Sequence, residues 1–240
     1  MAFYSDFSGY YETVFPFRAP VLELLNRRLP GQGRVLDLGC GTGAYCGRLA
    51  RDGRSCLGVD LDSEMVRQAA ENHPGVEFQV LDLASIDTLP EGDFTGAYCI
   101  GNVLPHLGPG QLPDFLSRLK RLLRPAGIWI FQTVNFDPIV GQDEFVFPVL
   151  DYPDQALQFF RQYTDISDRT LKFQTRLVHA GREIFAGEVT LSPRTTAHCL
   201  ELHRQAGFEL IDHFADFTGK KFVSSEHSGS VYIFSAPEES

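Results

Sequence analysis

Apolar and polar positions along this chain fall into short blocks whose period changes from segment to segment. Residues 34–38 form a brief apolar run with one acid, Asp37, inside it, the pattern of a buried strand. Residues 44–52 follow with a helical period. The alternation then repeats as strand 55–59 with helix 63–72, strand 76–79 with the loop around Asp82, and strand 96–100 with helix 112–123, whose first turn carries Pro113. Arg124-Pro125-Ala126-Gly127 reads as a turn, and 128–134 as a fifth strand. Strands separated by helices pack as a parallel sheet covered on both faces.

The flanks read differently. The first thirty residues hold Phe3, Tyr4, Phe7, Tyr10, Tyr11, Phe15 and Phe17, punctuated by Pro16 and Pro20, and residues 21–29 form an amphipathic helix that ends near Pro30-Gly31. We read 1–30 as a cap whose aromatics fill a core and can also close a pocket. Beyond Asn135 the alternation breaks. Pro138, Pro148 and Pro153 lie among many aromatics, 156–162 reads as helical, and 171–178 with 183–191 form a hairpin around Ala180-Gly181-Arg182. Thr195 or Thr196 can cap a last helix that Gly207 ends, and 208–217 and 230–235 read as closing strands before a frayed end at Pro237 to Ser240. The expected division is therefore a cap at 1–30, a core at 31–135 and 192–240, and a β-rich insert at 136–191 that covers a substrate or makes a dimer contact.

The 240 residues suffice for one large domain or a domain with an insert. No run approaches the roughly 18 apolar residues that a membrane span needs. The N-terminus has neither the basic region nor the apolar core of a signal peptide, so a cytoplasmic protein without a membrane partner is the expectation. The 5 cysteines show no C-x-x-C spacing, which favours buried thiols over a metal site or a disulfide frame. With 21 basic against 31 acidic residues, the net charge of −10 repels phosphate backbones and favours small or cationic substrates over nucleic acid. The densest basic group, Arg118, Lys120, Arg121 and Arg124, reads as the solvated face of a helix.

The candidate chemistry lies where the first strand meets its helix. In Asp37-Leu38-Gly39-Cys40-Gly41-Thr42-Gly43 the glycines alternate, allowing a tight turn and close approach of backbone to a ligand. The helix that follows points its N–H groups at that turn, an arrangement suited to a nucleotide-like ligand at the carboxyl edge of a parallel sheet. Asp60 ends the second strand about twenty residues beyond the first glycine, where an acid can accept hydrogen bonds from ribose hydroxyls. It can also cap the next helix, a role that suits Asp62 or Ser63 better.

The segment 37–43 resembles the first motif of the class I S-adenosylmethionine (SAM)-dependent methyltransferases, an acid followed by G-x-G-x-G. Arg124-Pro125-Ala126-Gly127 resembles that family's L-x-P-G-G turn, with Ala126 in place of the first glycine, and Gly207-Phe208 its A-G-F segment. The resemblance implies a doubly wound, mostly parallel seven-stranded sheet with the last strand antiparallel, the Rossmann-like methyltransferase fold. It also implies a SAM site that includes Asp37, Gly39, Cys40, Gly41, Gly43 and Asp60. Leu61 and Met65 would be apolar walls against adenine, and Asp82 with Leu83 would face its amino group. Ile100, Gly101 and Asn102 would lie beside the methionine part, with Asp37 orienting its cationic end.

The transferred methyl sits on a sulfonium, so the protein mainly aligns the nucleophile and excludes water, and a base is needed only if the attacking atom must lose a proton. His106 is the candidate base or positioning residue, against a plain surface histidine. Tyr11 can place a hydroxyl near the methyl, and Arg18 can meet a carboxylate of ligand or substrate. Asn102-Val103-Leu104-Pro105-His106 lacks the Pro-Pro-aromatic run of amino-directed nucleic-acid methyltransferases, and Gly101-Asn102 with His106-Leu107 looks instead like the loop of glycine-type and other small-molecule N-methyltransferases. The expected function is methyl transfer from SAM to N or O of a small molecule, yielding S-adenosylhomocysteine, with a homodimer allowed. A non-catalytic SAM-binding regulator stays open. A nicotinamide-dependent dehydrogenase shares the turn and the ribose acid but expects G-x-G-x-x-G.

Overall fold

Apolar strands alternating with amphipathic helices assemble into two sheets in the computed structural model, which describes residues 9–238. Phe3, Tyr4 and Phe7 lie outside the described residues. The chain opens with α1 (Tyr11–Val14) and α2 (Ala19–Arg28). There follow β1 (Arg34–Leu38), α3 (Ala44–Arg51), β2 (Ser55–Asp60), α4 (Ser63–Asn72), β3 (Glu77–Val80), β4 (Phe94–Cys99), α5 (Gln111–Leu122) and β5 (Leu123–Val134). The second sheet is built from β6 (Phe145–Val146), β7 (Leu150–Tyr152), β8 (Leu157–Thr164), β9 (Leu171–His179) and β10 (Arg182–Leu191). The chain closes with α6 (Thr196–Gln205), β11 (Glu209–Phe214) and β12 (Gly229–Ser235).

The first sheet has seven strands in the order β11-β12-β5-β4-β1-β2-β3. β1 lies parallel between β2 and β4, and β12 inserts antiparallel beside β5. The chain therefore runs outward through β2 and β3, then restarts at β4 on the other side of β1. That reversal opens a crevice at the carboxyl ends of β1 and β4, where doubly wound folds bind ligands. Period-two burial sorts the core. Leu36, Leu38, Ala97 and Cys99 face α5 and α6, whereas Val35, Tyr98, Ile130 and Ile233 face α2 and α3.

Most strands and helices lie within two residues of their expected ends, and four local expectations resolve as follows. Residues 157–164 form a strand, not the expected helix at 156–162. Ala156 adopts a left-handed φ of 49°, which breaks any helix before β8 begins, and Leu157, Phe159 and Tyr163 are buried at alternate positions. The turn at Arg124–Gly127 survives as a bulge inside β5, where the pairing with β4 jumps from Leu123 to Ile128 and Ala126 reaches φ 56°. The basic face of α5 is locally neutralised, with Arg118 on Asp87 and Arg121 on Glu91. The Pro237 carbonyl accepts the Ala126 N–H, and Glu239 and Ser240 of the expected frayed end lie outside the described residues.

A buried histidine locks α6 to the sheet. The Nδ1–H of His203 donates to the Cys199 carbonyl at 2.7 Å, so Nε2 accepts from Trp129 Nε1–H at 3.2 Å. The ring stacks on Phe131 and Phe234. Burial pushes its pKa down to about 4. An unfolded chain titrates near 6.5, so the unfolded state takes up the proton first as pH falls. The stability held by the neutral ring is complete above about pH 7 and is lost between about 6.5 and 4. Urea unfolding should show wild type losing stability over that window more steeply than His203→Gln. Equal slopes would remove His203 from the acid response.

Candidate functional site

The end of β1 turns through Gly39, Gly41 and Gly43, all left-handed at φ 80°, 52° and 77°. Two of these positions admit no side chain. A Cβ on Gly39 would stand 2.8 Å from the Val103 methyls, and one on Gly43 would stand 2.7 Å from Phe78 Cζ. The turn thus presents bare backbone, and α3 begins directly after it with Gly43 as its N-cap. Cys40 keeps its thiol over the turn, 3.6 Å from the Gly41 carbonyl.

Two carboxylates bracket this backbone. Asp60, at the end of β2, accepts the Gly41 N–H at 2.9 Å through Oδ2 and the Asp62 N–H at 3.0 Å through Oδ1. Each oxygen keeps a lone pair for a further donor. Helix α4 is capped by Asp62, which accepts from the Glu64 and Met65 N–H groups, leaving Asp60 outside the capping role. Asp37 is buried in β1 and accepts the Tyr98 hydroxyl at 2.7 Å from the facing position of β4. Desolvation raises Asp37 to about 7, opposed by the Tyr98 hydrogen bond and reinforced by nearby Asp60. Desolvation raises Asp60 as well. Two acids destabilised in their charged forms await a cation or hydroxyl donors.

The remaining candidate residues surround the same edge. Leu61 stands out in solvent at 59% exposure beside Asp60, while Met65 is buried on the inner side of α4. Asp82 is exposed and accepts the Ala84 N–H, which starts the short 3-10 segment Leu83–Thr88. After β4, Ile100 is half-buried, and the Gly101 N–H donates to Gln132 Oε1 at 3.0 Å. Asn102, left-handed at φ 63°, accepts the Val134 N–H at 2.9 Å and reaches the Tyr163 hydroxyl at 3.4 Å. His106 ends the 3-10 turn Leu104–His106 and is exposed. Protein crowding around the ring lowers its pKa, and its contact with solvent limits the size of that effect.

Helix α1 covers the turn. The Tyr11 hydroxyl lies 3.1 Å from where a Cβ on Gly41 would be, and Thr42 donates to Glu12 at 3.1 Å. The other side of α1 meets the second sheet, through Phe15 against Phe159 and Tyr152 Oη donating to the Val14 carbonyl. Arg18 is exposed at the start of α2, its backbone N–H on the Tyr45 hydroxyl of α3. Three residues of this site were not among the sequence candidates. Tyr98 and Gln132 each sit in an apolar strand, where a polar side chain must find a partner, and that was the available signal. Glu12 gave none.

The glycine turn, the acid that ends β2 and the seven-stranded order define a Rossmann-like methyltransferase fold. Residues 35–127 match the family model of a methyltransferase domain. An uncharacterised 37.1 kDa protein in transposon TN4556 of Streptomyces fradiae is 34% identical over 166 residues, 65% of this chain and 42% of that one. A malonyl-[acyl-carrier protein] O-methyltransferase of Pectobacterium atrosepticum is 34% identical over 101 residues, 42% of this chain and 38% of that one. The crystal structure of a SAM-dependent methyltransferase from Clostridium acetobutylicum shares the fold, with a TM-score of 0.78 at 15% identity, covering 98% of this chain and 99% of that one. The chain spans about two fifths of the length of the two curated relatives.

Proposed function

We propose that the protein transfers the methyl group of SAM to a nitrogen or oxygen of a small molecule. The observation that carries this reading is the left-handed glycine turn pinned to Asp60 above the buried Asp37. The residues fit the cofactor: the left-handed turn of Gly39, Gly41 and Gly43 leaves bare backbone at the end of β1, and the desolvated Asp37 suits a cationic partner. When bound, SAM supplies a methyl on a positively charged sulfonium, which the acceptor atom displaces in line to leave neutral S-adenosylhomocysteine. Asp37 orients the cationic end, and Asp60 uses its remaining lone pairs for ribose hydroxyls. Leu61 lies against adenine beside Met65, with Asp82 and Leu83 toward its amino group. Ile100, Gly101 and Asn102 border the methionine part. Cap helix α1 excludes water above the turn, and the Tyr11 hydroxyl holds the acceptor. His106, neutral at pH 7, takes the acceptor's proton where one must leave. Arg18 lies at the outer rim.

Calorimetry with S-adenosylhomocysteine and with NAD tests the cofactor, and transfer of labelled methyl from SAM to a metabolite pool tests the reaction. Binding of NAD without S-adenosylhomocysteine would overturn the reading. Cofactor binding without any transfer would leave a SAM-binding regulator.

Two predictions follow from the carboxylates. Asp60→Ala should weaken S-adenosylhomocysteine binding by about 1–3 kcal/mol through loss of buried hydrogen bonds. Unchanged affinity in a folded variant would take Asp60 away from the ribose. The pKa of Asp37 near 7 makes cofactor affinity pH-dependent: full where the carboxylate is ionised, above about pH 8, and falling as pH drops through about 7. Affinity measured across that range in Asp37→Asn should be flat; a wild-type profile that is also flat would remove Asp37 from the cationic end.

A further inference from the structure

The inner face of the second sheet carries a cation with one unpartnered donor. Along β8, Leu157, Phe159, Arg161 and Tyr163 point to the same side, and their partners on β9 are His179, Leu177, Thr175 and Phe173. Apolar clusters bury both ends of this face. Leu157, Phe159 and Leu177 pack with Val14 of α1. Tyr163 and Leu171 pack with Phe136 and Ile139. Between them stand Arg161 and, directly across the ladder, Thr175.

Neither polar group in that gap is satisfied. The Nε–H of Arg161 and the Oγ1 of Thr175 are buried without a hydrogen-bond partner, and Thr175 is only 5% exposed. Arg161 directs one Nη2–H to the Pro148 carbonyl at 3.2 Å and lies 5.0 Å from the Phe147 ring centre. Among the described residues no carboxylate pairs with it. The ion pairs of this sheet, Lys172 with Asp165 and Glu188, belong to the opposite face. A desolvated guanidinium facing aromatic rings, with an unpaired donor beside an unpaired hydroxyl, is costly unless something completes it.

The face looks toward the candidate methyl-transfer site. Two residues before Arg161, Phe159 meets Phe15, which meets Tyr11 over Gly41. Two residues after it, the Tyr163 hydroxyl meets Asn102 in the loop beyond β4. Arg161 is thus suspended between the cap above the glycine turn and the loop at the end of β4.

We propose that Arg161 Nε–H and Thr175 Oγ1–H seat a carboxylate of the methyl acceptor, whose planar body continues past the Phe147 ring. This rests on the methyl-transfer reading for the acceptor's identity, though not for the anion seat itself. A single guanidinium with a hydroxyl beside it matches a monoanionic, planar carboxylate. The net charge of −10 does not oppose this. Exposed charges more than about 8 Å away are screened at physiological salt, whereas a direct contact with a buried donor is not.

The test uses the full chain saturated with S-adenosylhomocysteine and titrated with benzoate, with benzamide as the uncharged isostere. The Arg161 Nε–H resonance, assigned by its loss in Arg161→Gln, reports the seat. Benzoate should shift that resonance saturably and bind at least about tenfold more tightly than benzamide. Arg161→Gln and Thr175→Val should each weaken benzoate, the former by at least about tenfold, with S-adenosylhomocysteine affinity unchanged as proof of folding. Absence of benzoate binding, equal binding of benzamide, or full benzoate affinity in Arg161→Gln overturns the proposal. Failure of wild type to bind S-adenosylhomocysteine overturns the methyl-transfer reading instead, and benzoate titrated alone then still decides the anion seat.

Discussion

One hydrogen bond organises the carboxyl edge of the first sheet: the Gly41 N–H held by Asp60. It joins the turn after β1 to the end of β2 across a register that already pairs these strands residue for residue. A left-handed glycine turn exposes backbone donors that must be satisfied, and here an acid from the neighbouring strand satisfies one of them. The same carboxylate takes the Asp62 N–H, so a single side chain fixes the glycine turn and the entry to α4. Buried Asp37 on β1 and the cap helix that lies over Gly41 flank this knot.

The second sheet has two unlike faces. Its outer face is solvated and laced with polar ladders such as Gln162, Gln174 and Glu188. Its inner face is aromatic and packs on α1 at one end and on the segment after β5 at the other. Helix α1 is only four residues long and has no capping side chain, so its position depends on what it touches. It is clamped between the glycine turn and Phe159, which couples the second sheet directly to the turn after β1.

Part of this was legible from residue order and part was not. The β-α alternation from 34 to 134 showed itself because each apolar run is short and each helix carries a stripe. Asp60 and Asp62 could be separated by role, since one ends a strand and the other precedes a helix. The run Leu157, Gln158, Phe159, Phe160 suggested a helix because short apolar runs fit either period. The inward alternation through Arg161 and Tyr163 emerges only when a partner strand defines the face. Trp129 and His203 lie 74 residues apart, and no local pattern announces such a pair.

Residue order by itself determined the strand-glycine-helix turn, the acid that follows it and the doubly wound sheet, because these rest on backbone sterics and on periods of two or 3.6 residues. Tertiary structure alone decided which polar groups are satisfied and which are left waiting. The Asp37–Tyr98 pair, the cover of α1 over Gly41 and the lone guanidinium of Arg161 arise from contacts between distant segments. Their energies depend on burial and on facing partners, quantities that come into being only when the segments meet.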